Sequence, residues 1–392
     1  MRNVPGGPNV FSFPMKKSHS GNPRSSASFT RRNFIGSLAA GAMTAALASR
    51  VRAQESGERK LGVALVGLGG YSRGQLGPAL KQTQHCRLMG VVTGSPEKGA
   101  QWAKDYGFPE KNIYGYENMA QLADNRDIDI VYVVTPNALH KEHAIAAAKA
   151  GKHVICEKPF TNTAAEAEDV LKVFRAQKIK HAIGYRLHYE PRHQEFMRLA
   201  KEKDFGTFTK ADGGFSFVMN TTTKPWRAQK DLAGGGPVMD LGVYFIQAAC
   251  MAGEGKAPIA VWATEGEKQK PEYFTDVEET MNMKFEFANG LIAEGSTSYN
   301  AMLNRIRAEG DKGWIQIQPA YSYGGLRAET SKGPLDYPRV NQQALQMDDF
   351  ALCVKEGRDS RVPGEMGLRD NKIIDAIYES ARNGGKKVEL KA

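Results

Sequence analysis

The sequence predicts an α/β protein: a doubly wound parallel sheet followed by a second domain built on a largely antiparallel open sheet. Three observations predict it. Leu61, Val63, Ala64, Leu65 and Val66 form an apolar run suited to a strand covered on both faces, and it breaks at Gly67-Leu68-Gly69-Gly70. From there to about residue 185, strand-like and helix-like segments alternate, which is the signature of a parallel sheet with crossover helices. Beyond 185 most strand-like runs follow one another without intervening helices, which favours antiparallel pairing.

The chain has 392 residues, 53 of them basic and 43 acidic. That length suits about two domains behind a leader. Residues 1–53 contain Arg2, Lys16, Lys17, Arg24, Arg31, Arg32, Arg50 and Arg52 and no acidic residue, so the remainder carries 45 basic against 43 acidic side chains. A body so nearly balanced exerts no long-range pull on a phosphate backbone, and nucleic acid is excluded as a partner. Residues 1–29 are too rich in Gly, Pro, Ser and Asn to form a core. Arg31-Arg32 then precede an uncharged stretch, Asn33–Ser49, that is short and weakly apolar for a membrane span. Val51-Arg52-Ala53 follows as a small-residue cleavage site. The segment resembles a twin-arginine export signal, so the export machinery is an expected partner, no membrane span is expected after cleavage, and the expected location is the periplasm or beyond. Met15-Lys16-Lys17 reads as a more ordinary start than Met1.

Within residues 54–185 the first strand ends at the glycine turn, and helix-compatible sequence follows over Gln75–Gln82. In that context G-x-G points to a dinucleotide: Gly67 permits the turn, and Gly69 and Gly70 let backbone amides, with those of Leu68 and Tyr71, approach a pyrophosphate. Ser72 stands where the fingerprint has its third glycine. Arg87–Thr93 reads as the second strand. Its tip carries Thr93-Gly94-Ser95-Pro96-Glu97-Lys98. No carboxylate sits where an NAD site accepts ribose hydroxyls, while Thr93, Ser95 and Lys98 can bind a 2′-phosphate, so the expected cofactor is NADP rather than NAD. Ser95-Pro96 also caps a helix over Glu97–Tyr106. Ile130–Thr135 is a strand ending at Pro136-Asn137, and His140–Ala150 is a helix stopped by Gly151. His153–Cys156 is a strand ending at Glu157-Lys158-Pro159, Ala164–Gln177 a helix and Lys180–Tyr185 a strand. Gly67, Thr93, Thr135 and Lys158 thus share the strands' C-terminal ends, where such sheets bind ligands.

In residues 186–392, Glu195–Lys203 reads as a linking helix, with strands at Phe208–Met219 and Ile259–Glu265. Glu279–Phe287 and Leu291–Tyr299 form a hairpin about Asn289-Gly290. Arg305–Glu309 and Gly313–Gln318 are parted by a turn at Gly310. Pro237–Ala252 is a helix after Gly234-Gly235-Gly236, and Asn341–Glu356 and Arg369–Asn383 are closing helices that pack back. Cys86, Cys156, Cys250 and Cys353 are too dispersed for a redox or zinc motif and read as buried thiols. The eight histidines show no metal-ligand spacing, so no metal is expected.

Four features carry chemistry. Lys158, a cation at a strand end, can polarise a substrate oxygen, or simply pair with Glu157. Asp240 and Tyr244 are four residues apart on one helix face, where a carboxylate and a phenol can orient a hydroxyl and relay its proton; alternatively Asp240 complements the helix dipole and Tyr244 is core. Tyr185-Arg186-Leu187-His188 and Trp226-Arg227 are aromatic–cation runs of the kind that line sugar sites and also simply pack.

Taken together, Gly67-Leu68-Gly69, Cys156-Glu157-Lys158-Pro159, Ile183-Gly184-Tyr185-Arg186, Trp226-Arg227 and the run from Leu232 through Met239-Asp240-Leu241-Gly242-Val243-Tyr244 resemble the Gfo/Idh/MocA oxidoreductases, from about Lys60 to Val388. Tyr244, where the family usually has His, and Thr93-Gly94…Lys98 resemble its glucose–fructose branch. The resemblance implies a Rossmann domain plus an α/β domain whose open sheet forms a homo-oligomer interface. It implies Lys158, Asp240 and Tyr244 as catalytic residues. It implies nucleotide contacts from Gly67, Leu68, Gly69, Gly70, Tyr71, Thr93, Gly94, Ser95, Lys98, Thr135, Pro136, Asn137, His140, Glu157, Lys158, Arg186, Trp226 and Arg227. Sugar contacts fall to Lys158, Tyr185, His188, Asp240 and Tyr244. The expected activity is hydride exchange between a sugar C1 and tightly held NADP, of ping-pong type. The alternatives are another NADP-dependent sugar, anhydro-sugar or inositol dehydrogenase or reductase of the family, a non-redox NAD-dependent glycosidase, and a sugar-binding module with a vestigial cofactor site. Only Gln54–Lys60 separates the cleavage site from the first strand, whereas the glucose–fructose branch has a long Pro-rich arm there.

Overall fold

A computed structural model describes residues 59–219 and 225–390; the leader, with its paired arginines, lies outside the described residues. Six parallel strands form the first sheet: β1 (Leu61–Val66), β2 (Cys86–Val92), β3 (Ile113–Tyr114), β4 (Ile130–Val133), β5 (His153–Cys156) and β6 (His181–Ile183). Their order is β3-β2-β1-β4-β5-β6, with the reversal of direction between β1 and β4 at the crevice. All six residues of β1 are buried, as the apolar run requires. Ser95 caps the helix Pro96–Tyr106 by accepting from the Lys98 amide, and Thr163 does the same for Ala164–Gln177 through Glu166.

The second sheet has nine strands: β7 (Lys210–Ser216), β8 (Ala260–Glu265), β9 (Thr280–Glu286), β10 (Ile292–Ser298), β11 (Leu303–Gly310), β12 (Gly313–Ile317), β13 (Ala328–Thr330), β14 (Gly333–Leu335) and β15 (Val388–Glu389). Their order is β14-β13-β12-β11-β7-β10-β9-β8-β15. Every pairing is antiparallel except β7 with β10, which run parallel. The exception has a topological cause: the helix Val243–Ala252 lies in the connection between them, and a crossover is what parallel neighbours need. The Asn289-Gly290 turn joins β9 to β10 as expected, with Gly290 at φ +86°.

Several elements differ from the sequence reading. The strand expected over Lys180–Tyr185 stops at Ile183: the Gly184 amide still donates to the Cys156 carbonyl, but the Tyr185 amide turns back to the Ile183 carbonyl and the chain winds into a 3₁₀ turn, Arg186–Tyr189. The linking helix begins at Pro191, capped by the Glu190 carboxylate. The helix expected over Pro237–Ala252 opens with a π turn, Val238–Gly242, and the first helix likewise opens with one at Ser72–Leu76. β3, β13 and β14, of two or three residues each, carry no readable period. The C-terminal helices divide their loyalties: Gln342–Glu356 places Met347, Phe350, Ala351 and Cys353 in the first core, while Gly364–Arg382 supplies Ile373, Ile374 and Ile377 to the second. Asp348 on the former receives the Gln84 and His85 amides at 2.7–2.9 Å. All four cysteines are buried free thiols.

Candidate active site

The site is built where the C-terminal ends of the parallel strands face the helix Val243–Ala252 and its π turn. β5 delivers Glu157-Lys158 there. The Glu157 carboxylate is buried, accepts from Tyr132 Oη at 2.7 Å and from the Lys158 amide at 3.2 Å, and its pKa is raised by burial despite the nearby Lys158. Gly184 is required opposite it, since a Cβ there would stand 2.5 Å from Glu157 Oε1. The Lys158–Pro159 peptide is cis. Lys158 is therefore aimed by a braced turn: Nζ donates to the Asp240 carbonyl at 2.6 Å, lies 3.5 Å from Asp240 Oδ1, and sits 4.8 Å from the Tyr244 ring centre. Among the described contacts its ammonium thus turns toward Asp240 and Tyr244 rather than pairing with the Glu157 carboxylate.

Asp240 lies in the π turn, a local widening of the helix common at functional positions. The start of that turn is held by Glu278, whose carboxylate accepts the Gly236 and Val238 amides at 3.0 Å each and the Tyr378 hydroxyl at 3.0 Å. Asp240 Oδ2 receives Arg227 Nε at 3.0 Å and Tyr299 Oη at 3.1 Å. Burial pushes the Asp240 pKa up, but Arg227 and Lys158 outweigh it, and the carboxyl is held below its usual range. Tyr244 follows one turn later, half-buried, with its hydroxyl accepting from Arg186 Nη2 at 3.2 Å. Lys158, Asp240 and Tyr244 thus meet as one cluster, with Arg227, Arg186 and Tyr299 around it.

The dinucleotide cradle lies at the end of β1. Gly67 has φ +97°, and a Cβ on it would approach the Val134 carbonyl oxygen to 2.9 Å, so the turn needs glycine. Gly69 and Gly70 are exposed, with open space where a Cβ would stand, as close backbone approach to a ligand demands. Ser72 Oγ bonds back to the Gly67 carbonyl at 2.6 Å, so serine at the third fingerprint position braces the turn. Leu68 is buried beneath it, and Tyr71 leans on Tyr323, ring centres 5.9 Å apart. These residues fit a nicotinamide dinucleotide. Thr93 Oγ1 accepts from the Ser95 amide at 3.2 Å, and Ser95 Oγ is engaged with Glu97 and the Lys98 amide, while the Lys98 side chain is exposed. Gly94 faces the Tyr116 ring.

Other expected contacts are placed differently. Thr135 Oγ1 pairs with His143 Nδ1 at 3.1 Å, and Asn137, beside Pro136, donates to the Ala233 carbonyl at 2.8 Å. His140 is buried with its ring nitrogens 2.8 and 2.9 Å from the Pro159 and Thr135 carbonyls, between two strand-end loops; burial lowers its pKa to about 4, and the neutral ring donates to one of the two. Its ring is thus part of the crevice wall. Tyr185 and His188, expected to touch sugar, are buried: His188 Nε2 meets Gln247 Oε1 at 2.8 Å, and Tyr185 lies beside Asp370, with which Gln247 also bonds. They join the linker to the two helices behind the site. Arg186, expected on the nucleotide, is only 2% exposed; Nη1 and Nη2 donate to protein acceptors, while Nε is buried without a hydrogen-bond partner. Arg227 is committed to Asp240 and covers the Trp226 ring at 4.3 Å. Tyr299, Tyr323 and Glu278 were not among the sequence candidates; each reaches the site from a strand end or loop that carries no motif.

Among the described residues no cluster of His, Cys, Asp or Glu is gathered as a metal site, and no helix is long and apolar enough to cross a membrane. A family model described as an oxidoreductase family with an NAD-binding Rossmann fold matches residues 61–185, and that of the GFO/IDH/MocA C-terminal domain matches residues 193–316. The solved structure of an aldose-aldose oxidoreductase from Caulobacter crescentus is 37% identical, covers 85% of this chain and 100% of its own, and superposes with a TM-score of 0.82. The NADP(+) D-xylose 1-dehydrogenase of Haloarcula marismortui is 30% identical over 328 residues, 81% of this chain and 90% of that protein. The levoglucosan dehydrogenase of Pseudarthrobacter phenanthrenivorans is 28% identical over 343 residues, 74% of this chain and 86% of its own.

Proposed function

The chain belongs to the Gfo/Idh/MocA oxidoreductase family, and from that premise we propose that it is an exported, NADP-dependent sugar oxidoreductase that oxidises an aldose at C1 and passes the hydride on to a second carbonyl sugar. One observation carries the reading: Lys158, Asp240 and Tyr244 converge beside the glycine cradle, at the strand ends where a nicotinamide would lie. A bound nicotinamide supplies the hydride acceptor, taking the C1 hydrogen with its electron pair. Tyr244, having released its own phenolic hydrogen, takes the O1 proton as the C1–O bond becomes a carbonyl and the lactone forms. Lys158 holds the same oxygen by a charged hydrogen bond. Asp240, kept ionised by Arg227 and Lys158, accepts from a neighbouring sugar hydroxyl and so fixes which carbon faces the nicotinamide.

Three things support the finer parts. No acid stands at the tip of β2, and Lys98 there is exposed, as a 2′-phosphate prefers. Arg31-Arg32 and the flanking pattern support twin-arginine export to the periplasm. Outside the cytoplasm no nicotinamide pool recycles a released cofactor, and the aldose-aldose oxidoreductase relative bears a name that fits two sugars exchanging hydride. The relatives above are sugar dehydrogenases and oxidoreductases, so a non-redox glycosidase is not favoured. The face of the nine-stranded sheet opposite its helices carries a hollow lined by Trp262, Met283 and Leu303 among charged residues, and a second copy seated there would make the homo-oligomer.

The test begins with protein purified from the exported fraction without added nucleotide. Denaturation should release NADP, identified by mass, and D-glucose or D-xylose should reduce the bound pool beforehand. An empty protein that uses added nucleotide would mean a dissociable dehydrogenase. Bound nucleotide unchanged by any free sugar would overturn the reading.

A further inference from the structure

Arg186 opens the 3₁₀ turn after β6, and its charged head is buried without a carboxylate bonded to it. Nη1 donates to the Ser322 carbonyl at 3.2 Å and to Gln342 Oε1, and Nη2 donates to the Tyr321 carbonyl at 2.5 Å and to Tyr244 Oη at 3.2 Å. The guanidinium also stacks 4.5 Å from the Tyr323 ring centre. Three segments distant in sequence therefore lock it in place. Every acceptor it has is neutral, and only one of them, the Tyr244 hydroxyl, carries a proton it can exchange.

An arginine cannot accept, so the Tyr244 oxygen must accept from it. The phenolic hydrogen, and the lone pair that would receive a sugar proton, are then confined to the remaining directions, and Lys158 stands over the ring on the crevice side. A fixed cation beside this oxygen also favours negative charge on it once its own hydrogen has left, which is the form able to receive a sugar proton. We propose that Arg186 is a positioning residue that acts through Tyr244, presetting the phenol for proton exchange with the bound sugar, rather than a ligand of the nucleotide. The proposal rests on the sugar reading for the direction of proton flow: Tyr244 first releases its phenolic hydrogen to solvent, the sugar O1–H bond then breaks and its proton joins the phenolate oxygen to restore the phenol, and Arg186 stays protonated throughout.

The test is a double-mutant cycle in the full exported enzyme with D-glucose and D-xylose as donors. Arg186→Lys and Tyr244→Phe should each slow reduction of the bound nicotinamide about tenfold or more, and the double variant should be no slower than Tyr244→Phe alone. Additive losses, or an Arg186→Lys protein that has lost its nucleotide, would overturn the proposal. A second readout needs no turnover. In protein carrying ¹³C-labelled tyrosine, the Tyr244 ring resonance, assigned by its loss in Tyr244→Phe, should move in Arg186→Lys. If that variant does not fold, Gln342→Met loosens the same guanidinium and should move the same resonance; an unmoved resonance in a folded variant sinks the idea. If the wild type oxidises neither sugar, the sugar reading falls while the resonance still decides the role of Arg186.

Discussion

Tyr299 and Arg227 reach the same oxygen of Asp240, at 3.1 and 3.0 Å, the one directly after β10 and the other from the 3₁₀ turn Trp226–Ala228 beyond its parallel neighbour β7. The phenol is fully buried among Phe217 and Phe274, so its direction is set by packing and it cannot follow the carboxylate if Asp240 swings. Tyr299→Phe removes one of the two restraints and leaves the counter-charge. The expected result is a stability loss of about 1 kcal/mol. The specificity constant should fall by about threefold to tenfold, mostly through KM. Thermal melts and sugar kinetics on one preparation check both; an unchanged KM would mean that Arg227 alone holds the carboxylate.

The glycine turn separates folding from binding. Gly67→Ala forces a side chain into the left-handed region and against the Val134 carbonyl, and should cost about 2 kcal/mol or more. Gly69→Ala meets no protein atom within 4 Å, so the melting temperature of nucleotide-free protein should barely move while nucleotide affinity drops about tenfold. Melts and nucleotide titrations distinguish the two. A Gly69→Ala protein with wild-type affinity would place the pyrophosphate elsewhere.

Two buried histidines set the acid limit. Burial lowers the pKa of His140 and of His188 from the ordinary 6.5 to about 4. Between those values the unfolded chain binds protons that the folded chain does not, so stability rises with pH across the window and falls on acidification, by roughly 3 kcal/mol for each histidine. Asp240, held below its usual range, adds a loss at still lower pH, while Glu157 and Glu278, raised by burial, act in the opposite sense. Denaturant melts from pH 7 to pH 4 should show a slope that His188→Gln reduces; a slope unaffected by that change would mean that His188 is already charged in the fold.

The sequence made the cluster of Lys158, Asp240 and Tyr244 legible because its members sit at positions with local meaning: Lys158 at a strand end, Asp240 and Tyr244 one helical turn apart. The parallel, doubly wound character of the first sheet was legible for the same reason, since alternating strands and helices imply crossovers. What was not legible depends on packing between distant segments. Tyr299, Tyr323 and Glu278 approach the cluster from strand ends and loops with no motif of their own. Arg186 was visible as a cation, but its direction is set by the Tyr321 and Ser322 carbonyls, more than 130 residues away. Tyr185 and His188 looked like crevice residues because they lie beside Arg186, yet the turn at Gly184 sends neighbouring side chains to opposite sides. The parallel pairing of β7 with β10 was hidden because only the path of the intervening helix decides it.

Lys158 is the most direct test of the chemistry. Its ammonium bonds the Asp240 carbonyl and stands near both Asp240 Oδ1 and the Tyr244 ring, so it is the charge nearest to where a sugar oxygen would develop negative character. Its removal need not unfold the site, because Arg227 remains as the counter-ion of Asp240 and Glu157 is held separately by Tyr132 and a backbone amide. Lys158→Met keeps the stem and discards the charge. The expected outcome is a folded protein that retains its nucleotide, with hydride transfer slowed about a thousandfold. Lys158→Arg should recover little of this, since a planar guanidinium cannot occupy the point position between the Asp240 carbonyl and the Tyr244 ring. Single-turnover reduction of bound nicotinamide separates this loss of chemistry from a loss of sugar binding. A Lys158→Met enzyme with a near-normal single-turnover rate would remove the lysine from the mechanism and leave Tyr244 with Arg186 as the groups to explain proton movement.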